Sequence, residues 1–186
     1  SKIDTKVSEG SNKDQKIIDI EVAEQPTGEI SLAAGIGTTG SSLGGGIREN
    51  NFLGKGITLN TSLIISESTV NGIFSYERPN FANTDNTLIT SFRSTTSDQL
   101  TDYGFKTENT GFSLGSSFEQ YENTKLSPSF SIDYEDMETN ATASTNLKKQ
   151  QGTYLDAYIN YSLDYDLRDL KYQTTEGSRT IWYQAL

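Results

Sequence analysis

Residues 155–167 have the sequence LDAYINYSLDYDL, in which apolar or aromatic residues alternate with mostly polar ones throughout. The first set consists of Leu155, Ala157, Ile159, Tyr161, Leu163, Tyr165 and Leu167. A period of two is typical of a β-strand with one apolar face. Strands of soluble proteins usually have about 5–6 residues, whereas a tilted strand needs about 9–11 residues to cross a bilayer. The stretch therefore predicts a membrane-spanning strand.

The same alternation recurs along most of the chain. It predicts strands at 28–37, 41–50, 56–66, 69–77, 87–96, 104–120, 124–137, 152–168 and 179–186, joined as hairpins. The longest polar connection, METNATASTNLKKQQ, falls at the end where an outer-membrane barrel has its extracellular loops. The predicted fold class is all-β, an antiparallel transmembrane β-barrel represented by about nine strands of its N-terminal part.

Composition supports this class and makes several functions improbable. The formal net charge is −10, with no His and no Cys. An acidic chain is poorly suited to nucleic acid, and without His or Cys the commonest general base, metal ligand and thiolate nucleophile are missing. We therefore expect no enzyme activity, cofactor or metal. Only 33% of residues are hydrophobic, which suits a barrel whose inner side is polar.

The first 25 residues have a different organisation. Strands are predicted at 2–7 and 15–23, joined by the turn-rich EGSNKD, and the Pro and Gly of EQPTGE mark a boundary after them. Two strands alone are not stable in water. We therefore expect residues 1–25 to be the tail of a small domain and residues 26–186 to be barrel.

Several segments carry a resemblance to a known family. Residues 17–24 (IIDIEVAE) are similar to the last strand of a POTRA domain, and residues 28–40 (GEISLAAGIGTTG) to a glycine-rich first barrel strand. NNFLGKG, YERPNF and EGSR are similar to turns of the same barrels, although residues 171–173 replace a usual proline step. The turn residues are Asn51, Phe52, Leu53, Gly54, Gly56, Pro79, Phe81, Gly177 and Arg179. In order and spacing, the chain resembles the BamA family of outer-membrane β-barrel assembly factors.

The resemblance implies a role and a location. Members have periplasmic POTRA domains followed by a 16-stranded barrel, and this chain would be a fragment containing the end of the last POTRA domain and about the first nine strands. It would lie in the bacterial outer membrane, with its N-terminal residues in the periplasm. Its partners would be unfolded outer-membrane protein clients, the lipid bilayer and accessory assembly lipoproteins that bind through the POTRA region.

The candidate site is the backbone edge of the first barrel strand. Glycine weakens strand pairing, and a weakly paired edge is a template for another strand. The residues predicted to pair with a client strand are Glu29, Ile30, Ser31, Leu32, Ala33, Ala34, Gly35, Ile36 and Gly37. A related POTRA-barrel translocation or secretion channel, and a soluble ligand-binding β-sandwich, are the alternatives.

Two motifs that suggest chemistry have simpler interpretations. GIGTTG at residues 35–40 fits the spacing of a dinucleotide loop, but such a loop needs a helix next, and a glycine-rich strand is predicted there. Asp164, Asp166 and Asp169 suggest a calcium site, but the glycine and the terminal glutamate of a calcium-binding loop are missing. We interpret these aspartates as residues of the barrel interior or of a turn.

Overall fold

The computed structural model describes residues 2–10, 12, 15–37 and 40–186. Within them the chain is almost entirely antiparallel β-structure, in a two-stranded and a nine-stranded sheet. The small sheet contains β1 (Lys2–Glu9) and β2 (Lys16–Ala23). The large sheet contains β3 (Gly28–Gly37), β4 (Gly40–Phe52), β5 (Ile57–Ser66), β6 (Thr69–Arg78), β7 (Thr87–Gln99), β8 (Phe105–Tyr121), β9 (Thr124–Thr139), β10 (Gly152–Asp166) and β11 (Arg179–Ala185).

These strands confirm the predicted all-β class, and β3 has the predicted bounds. The largest difference in the large sheet is at β7, which continues to Gln99 instead of residue 96. Gly40 begins a strand and no helix, as the hairpin interpretation of the glycine motif requires. Of the predicted turns at 9–14 and 38–40, residues 11, 13, 14, 38 and 39 lie outside the described residues, while Glu9 ends β1 and Gly40 begins β4.

Two short helical segments were not predicted. One is α1 (Thr145–Lys148), inside the long connection between β9 and β10, where the N–H of Leu147 donates to the Ser144 hydroxyl at 3.3 Å. The other is a 3-10 turn at Phe81–Asn83. Among the described residues, no helix has the length and apolar character needed to cross a membrane.

The large sheet is a simple meander. Each strand pairs with its sequence neighbours, in the order β11-β10-β9-β8-β7-β6-β5-β4-β3. Successive connections therefore lie at opposite ends of the sheet, as predicted. No second sheet covers the large one among the described residues, which differs from the two packed layers of a β-sandwich.

One face of this sheet, the outer face, is apolar. A single row of directly opposite residues crosses eight strands through Ile30, Ile47, Thr61, Phe74, Phe92, Phe112, Ile132 and Ala157. The side chain of Phe112 is 44% exposed, whereas Ser131 on the opposite face is 5% exposed. The opposite face, with its buried polar residues, is the inner face, and the large apolar side chains lie on the outer face, as in a membrane barrel that contacts lipid.

The apolar belt runs diagonally across the strands. The row that contains Ala34, Leu43, Ile65 and Val70 continues through Thr96 to Glu108 and Asp136. A row that is apolar at β3 is therefore acidic at β8 and β9. Since strands that close into a barrel are tilted and staggered, this diagonal is the pattern expected of a barrel wall.

Candidate functional site

The predicted edge strand, β3, is the first strand of the large sheet and forms one of its two lateral edges. β3 pairs with β4 from Gly28–Glu49 to Gly37–Gly40, and no described strand pairs with its other side. We call this other side, which faces away from β4, the free edge. The side chain of Leu32 is 84% exposed there.

The alternation of hydrogen-bonded pairs between β3 and β4 decides which residues of β3 have backbone groups on the free edge. The backbone N–H of Asn50 donates to the carbonyl of Thr27 at 3.1 Å, one step beyond the Gly28–Glu49 pair. In an antiparallel ladder, hydrogen-bonded and non-hydrogen-bonded pairs alternate. The odd-numbered residues of β3 therefore point their N–H and C=O groups toward β4. The even-numbered residues, Ile30, Leu32, Ala34 and Ile36, point theirs toward the free edge.

The sequence-predicted site thus divides into two sets. Ile30, Leu32, Ala34 and Ile36 combine outward backbone groups with apolar or small side chains on the outer face. Glu29, Ser31, Ala33, Gly35 and Gly37 bond to β4, and the side chains of Glu29, Ser31 and Ala33 lie on the inner face. Only the first set could pair with an added strand, a division that needs the register as well as the sequence.

Few side-chain contacts hold β3 to the sheet. Gly44, Gly45 and Gly46 lie opposite Ala33, Leu32 and Ser31, so the middle of β3 has no partner side chain on β4. An apolar hollow of about 440 Å³ lies over this stretch, with Ile30, Leu32 and Leu63 among its walls. The Ser31 hydroxyl reaches the Gly46 carbonyl only at 3.5 Å. Pairing of β3 with β4 therefore depends mainly on the backbone.

The start of β3 is fixed by the neighbouring strand. Both the backbone N–H and the side-chain amide of Asn50 donate to the Thr27 carbonyl, each at 3.1 Å. Asn51 follows, and its side-chain oxygen accepts from the N–H of Gly56 at 2.7 Å. The NFLGKG turn therefore closes the β4–β5 hairpin and lies against the link between the two sheets.

The two predicted turns near Pro79 and Gly56 are neighbours. Gly54 and Gly56 have positive φ angles of 68° and 66°, which glycine adopts without strain, and Leu53 has a positive φ of 58° although it is not glycine. A Cβ built on Gly56 would lie 3.7 Å from the Pro79 ring. The Arg78 guanidinium lies 5.7 Å from the centre of the Phe81 ring, a cation–π distance.

The third predicted turn, between β10 and β11, is held by charges. Arg179 contacts Asp164 with its Nε at 2.8 Å and a second nitrogen at 2.5 Å. Arg168 contacts both oxygens of Asp166 at 2.8 Å. Gly177 has φ +93°, and a Cβ there would lie 2.1 Å from the Leu167 carbonyl oxygen. Glycine at position 177 therefore avoids a clash with Leu167, and arginine at position 179 holds the turn through its ion pair with Asp164.

Asp169 caps the same connection. Its carboxylate accepts from the Thr175 hydroxyl at 2.5 Å and from the N–H of Glu176 at 3.2 Å. These bonds, the Thr175 hydroxyl first, lower the pKa of Asp169 from 3.8 to about 2. A lowered pKa stabilises the folded connection above the ordinary pKa, and this contribution is lost as the pH falls from about 4 toward 2.

We expect Thr175→Val to raise the pKa of Asp169 toward its ordinary value, because the largest stabilising bond to the ionised carboxylate is removed. Carboxyl NMR titration of the folded protein would measure the change. Thr174→Val is the matched control, since the Thr174 hydroxyl donates instead to the Leu170 carbonyl at 2.9 Å. An unchanged Asp169 pKa in Thr175→Val would contradict this assignment.

The structure provides no acidic metal cluster in the places that the sequence suggested. Among the described ranges, no group of three or more Asp, Glu, His or Cys residues could hold an ion. Asp164 and Asp166 form ion pairs with Arg179 and Arg168, and Asp169 accepts hydrogen bonds from its own loop. The three aspartates therefore have structural partners, which agrees with their interpretation as residues of the barrel interior or of a turn.

Known proteins share this architecture. The family model described as the Omp85 superfamily domain matches residues 51–185. The crystal structure of BamA from Haemophilus ducreyi lacking POTRA domains 1–3 is similar, with a TM-score of 0.70 and 21% sequence identity. The match covers 100% of this chain and 38% of that chain, so the sequence spans well under half of the related protein. No curated protein sequence matches significantly.

Proposed function

The chain belongs to the Omp85 superfamily, and we propose that it acts in an outer-membrane assembly factor that folds and inserts β-barrel client proteins. The free edge of β3 is the part that meets the client. The observation that carries the proposal is the coincidence, on Ile30, Leu32, Ala34 and Ile36, of outward backbone groups with side chains on the outer face.

The physical basis is the cost of unpaired backbone in lipid. Each unsatisfied N–H or C=O in hydrocarbon costs several kcal/mol, so a strand entering the bilayer needs a partner at once. The free edge offers N–H and C=O groups at every second residue of β3. A client strand that pairs there would direct alternate side chains to the same face as Leu32. The suitable client is therefore an amphipathic strand of a barrel protein, recognised mainly through its backbone.

The rest of the chain supports this role. We place residues 26–186 in the bacterial outer membrane as barrel wall, with the apolar belt against lipid. We place residues 1–25 in the periplasm, as the end of a POTRA domain through which accessory lipoproteins bind. In this proposal the chain catalyses no bond chemistry and needs no cofactor or metal, because strand templating uses only hydrogen bonds and apolar contact.

Site-specific photocrosslinking in the full-length protein tests the proposal. A photoreactive residue at Leu32 is compared with one at Leu155, which lies on the same outer face of distant β10 and is 71% exposed. During synthesis of a barrel client, adducts are expected at Leu32 and not at Leu155. Equal yields at both positions would mean that the client contacts the whole outer face, and the edge proposal would then fail.

The identity of the crosslinked proteins separates assembly from translocation. Several different barrel proteins captured at Leu32 support an assembly factor. If a single exported protein is captured, and its crosslinks map to the inner face near Ser62 and Ser75, the chain is part of a translocation channel. That result would overturn the proposal.

A further inference from the structure

A charged cluster on the inner face connects β7 to β9 and β10, across the intervening strand β8. Arg93 lies on β7, Asp133 on β9 and Tyr158 on β10. The Arg93 guanidinium and the Tyr158 hydroxyl both donate to the same oxygen of Asp133. Arg93 also donates to the Tyr158 hydroxyl at 3.3 Å. The three side chains therefore bond to one another across a span of four strands.

Gly111 of β8 makes this span possible. It lies in the same row as Arg93 and Asp133, directly between them. A Cβ at residue 111 would lie 2.1 Å from Oδ1 of Asp133 and 2.9 Å from Nε of Arg93. The carboxylate thus occupies the space that any other residue would fill with its own side chain. Only glycine at this position leaves β8 flat enough for its two neighbours to meet above it.

Burial makes the cluster energetically important. Asp133 is only 8% exposed, and its Oδ1 is buried without a hydrogen-bond partner in the described structure. All polar compensation for this carboxylate therefore comes through Oδ2, from Arg93 and Tyr158. Removing one partner of a buried charge is strongly destabilising, because the remaining charge stays away from water.

The same half of the sheet contains further short bonds between strands. Hydroxyl pairs join Ser91 to Ser113 at 2.6 Å and Ser117 to Ser127 at 2.8 Å. Asn160 joins Ser131 at 3.2 Å and Tyr183 at 2.8 Å. Among the described residues of β3–β6, the side-chain bonds from one strand to another strand are fewer. Ser31 bonds to Gly46 and Asn71 to Thr95 on β7, both at 3.5 Å, and next to the β5–β6 turn the Ser66 hydroxyl accepts from the N–H of Thr69 at 3.0 Å and donates to its carbonyl at 3.3 Å.

We propose that Arg93, Asp133 and Tyr158, seated over Gly111, form a clamp that makes β7–β10 move as one rigid segment of the sheet. The clamp acts across β8 without using any β8 side chain. Deformation of the sheet is then confined to β3–β6, where backbone pairing has little support from side chains. The clamp is independent of the proposed client pairing, since none of its residues lies on the free edge.

Hydrogen exchange of the full-length protein in detergent tests the clamp. In Gly111→Ala, the added methyl displaces Asp133, and amides of β7–β10 are expected to exchange roughly tenfold faster or more, because local opening becomes easier. Exchange in β3–β5 should stay as in the wild type. Gly72→Ala is the matched control, since a Cβ there meets no atom closer than 3.8 Å.

Three further variants keep the result decisive if Gly111→Ala fails to fold. Tyr158→Phe deletes one hydroxyl and should give a smaller acceleration in the same four strands. The charge-swapped double variant, Arg93→Asp with Asp133→Arg, should recover part of the amide protection that Asp133→Asn alone loses. The clamp is wrong if Tyr158→Phe leaves β7–β10 at wild-type protection, or if the loss in these variants spreads equally over all nine strands.

Discussion

Ala34→Pro in the full-length protein is expected to reduce client crosslinking at the free edge by more than about tenfold. Ala34 points its N–H away from β4, and proline removes that donor. A client carbonyl left without its partner in lipid costs several kcal/mol, while about 1.4 kcal/mol already corresponds to a factor of ten. Adduct yield from a photoreactive residue at Leu32, measured during client synthesis, gives the result.

Two neighbouring variants show whether the N–H is the cause. Ala34→Val keeps the N–H and adds bulk on the outer face, so it should retain most crosslinking. Ala33→Pro removes an N–H that points toward β4, so it should instead loosen the β3–β4 hairpin and speed amide exchange there. Normal client assembly in Ala34→Pro would refute the pairing of clients with the β3 backbone.

Phe74→Arg is expected to destabilise the barrel in lipid by about 2–4 kcal/mol, because a cation on the lipid-facing side near the middle of the membrane is costly. Phe74 lies in the apolar row that crosses the large sheet. Urea titration of the folded full-length protein in bilayers would measure the loss, and poor insertion would be its simplest sign.

Ser75→Arg is the matched control, one residue further along β6 and on the inner face. Because the inner face of a barrel tolerates polar groups, its effect should be within about 1 kcal/mol. Equal destabilisation by both variants would show that the two faces of the sheet are not differently solvated, and the assignment of outer and inner faces would be wrong.

The strands were predictable because alternation and turn residues act locally. β3 has the predicted bounds, 28–37, since the EQPTGE boundary precedes it and the alternation of Ile30, Leu32, Ala34 and Ile36 runs to its end. The helix at Thr145–Lys148 was missed because a four-residue helix capped by Ser144 leaves no periodic pattern in a polar loop.

The finer features of the site depend on register, which the sequence pattern does not specify. Alternation places Leu32 and Ala34 on one face, but only the Asn50–Thr27 bond shows that their N–H groups point outward. The clamp was missed for a similar reason. Arg93 and Asp133 are 40 residues apart, and Gly111 between them resembles any other glycine in a strand until the three are seen in one row.

The diagonal apolar belt gives the sheet an uneven rim. After Tyr134, the last aromatic residue of its outer face, β9 continues for five residues to Thr139, which is about 16 Å along the strand. At the same end, β5 and β6 meet in the tight turn at residues 67–68, directly beyond the apolar Ile65 and Val70. The wall is therefore tall at β8–β10 and low at β3–β6, so that the free edge opens onto the lowest sector of the rim.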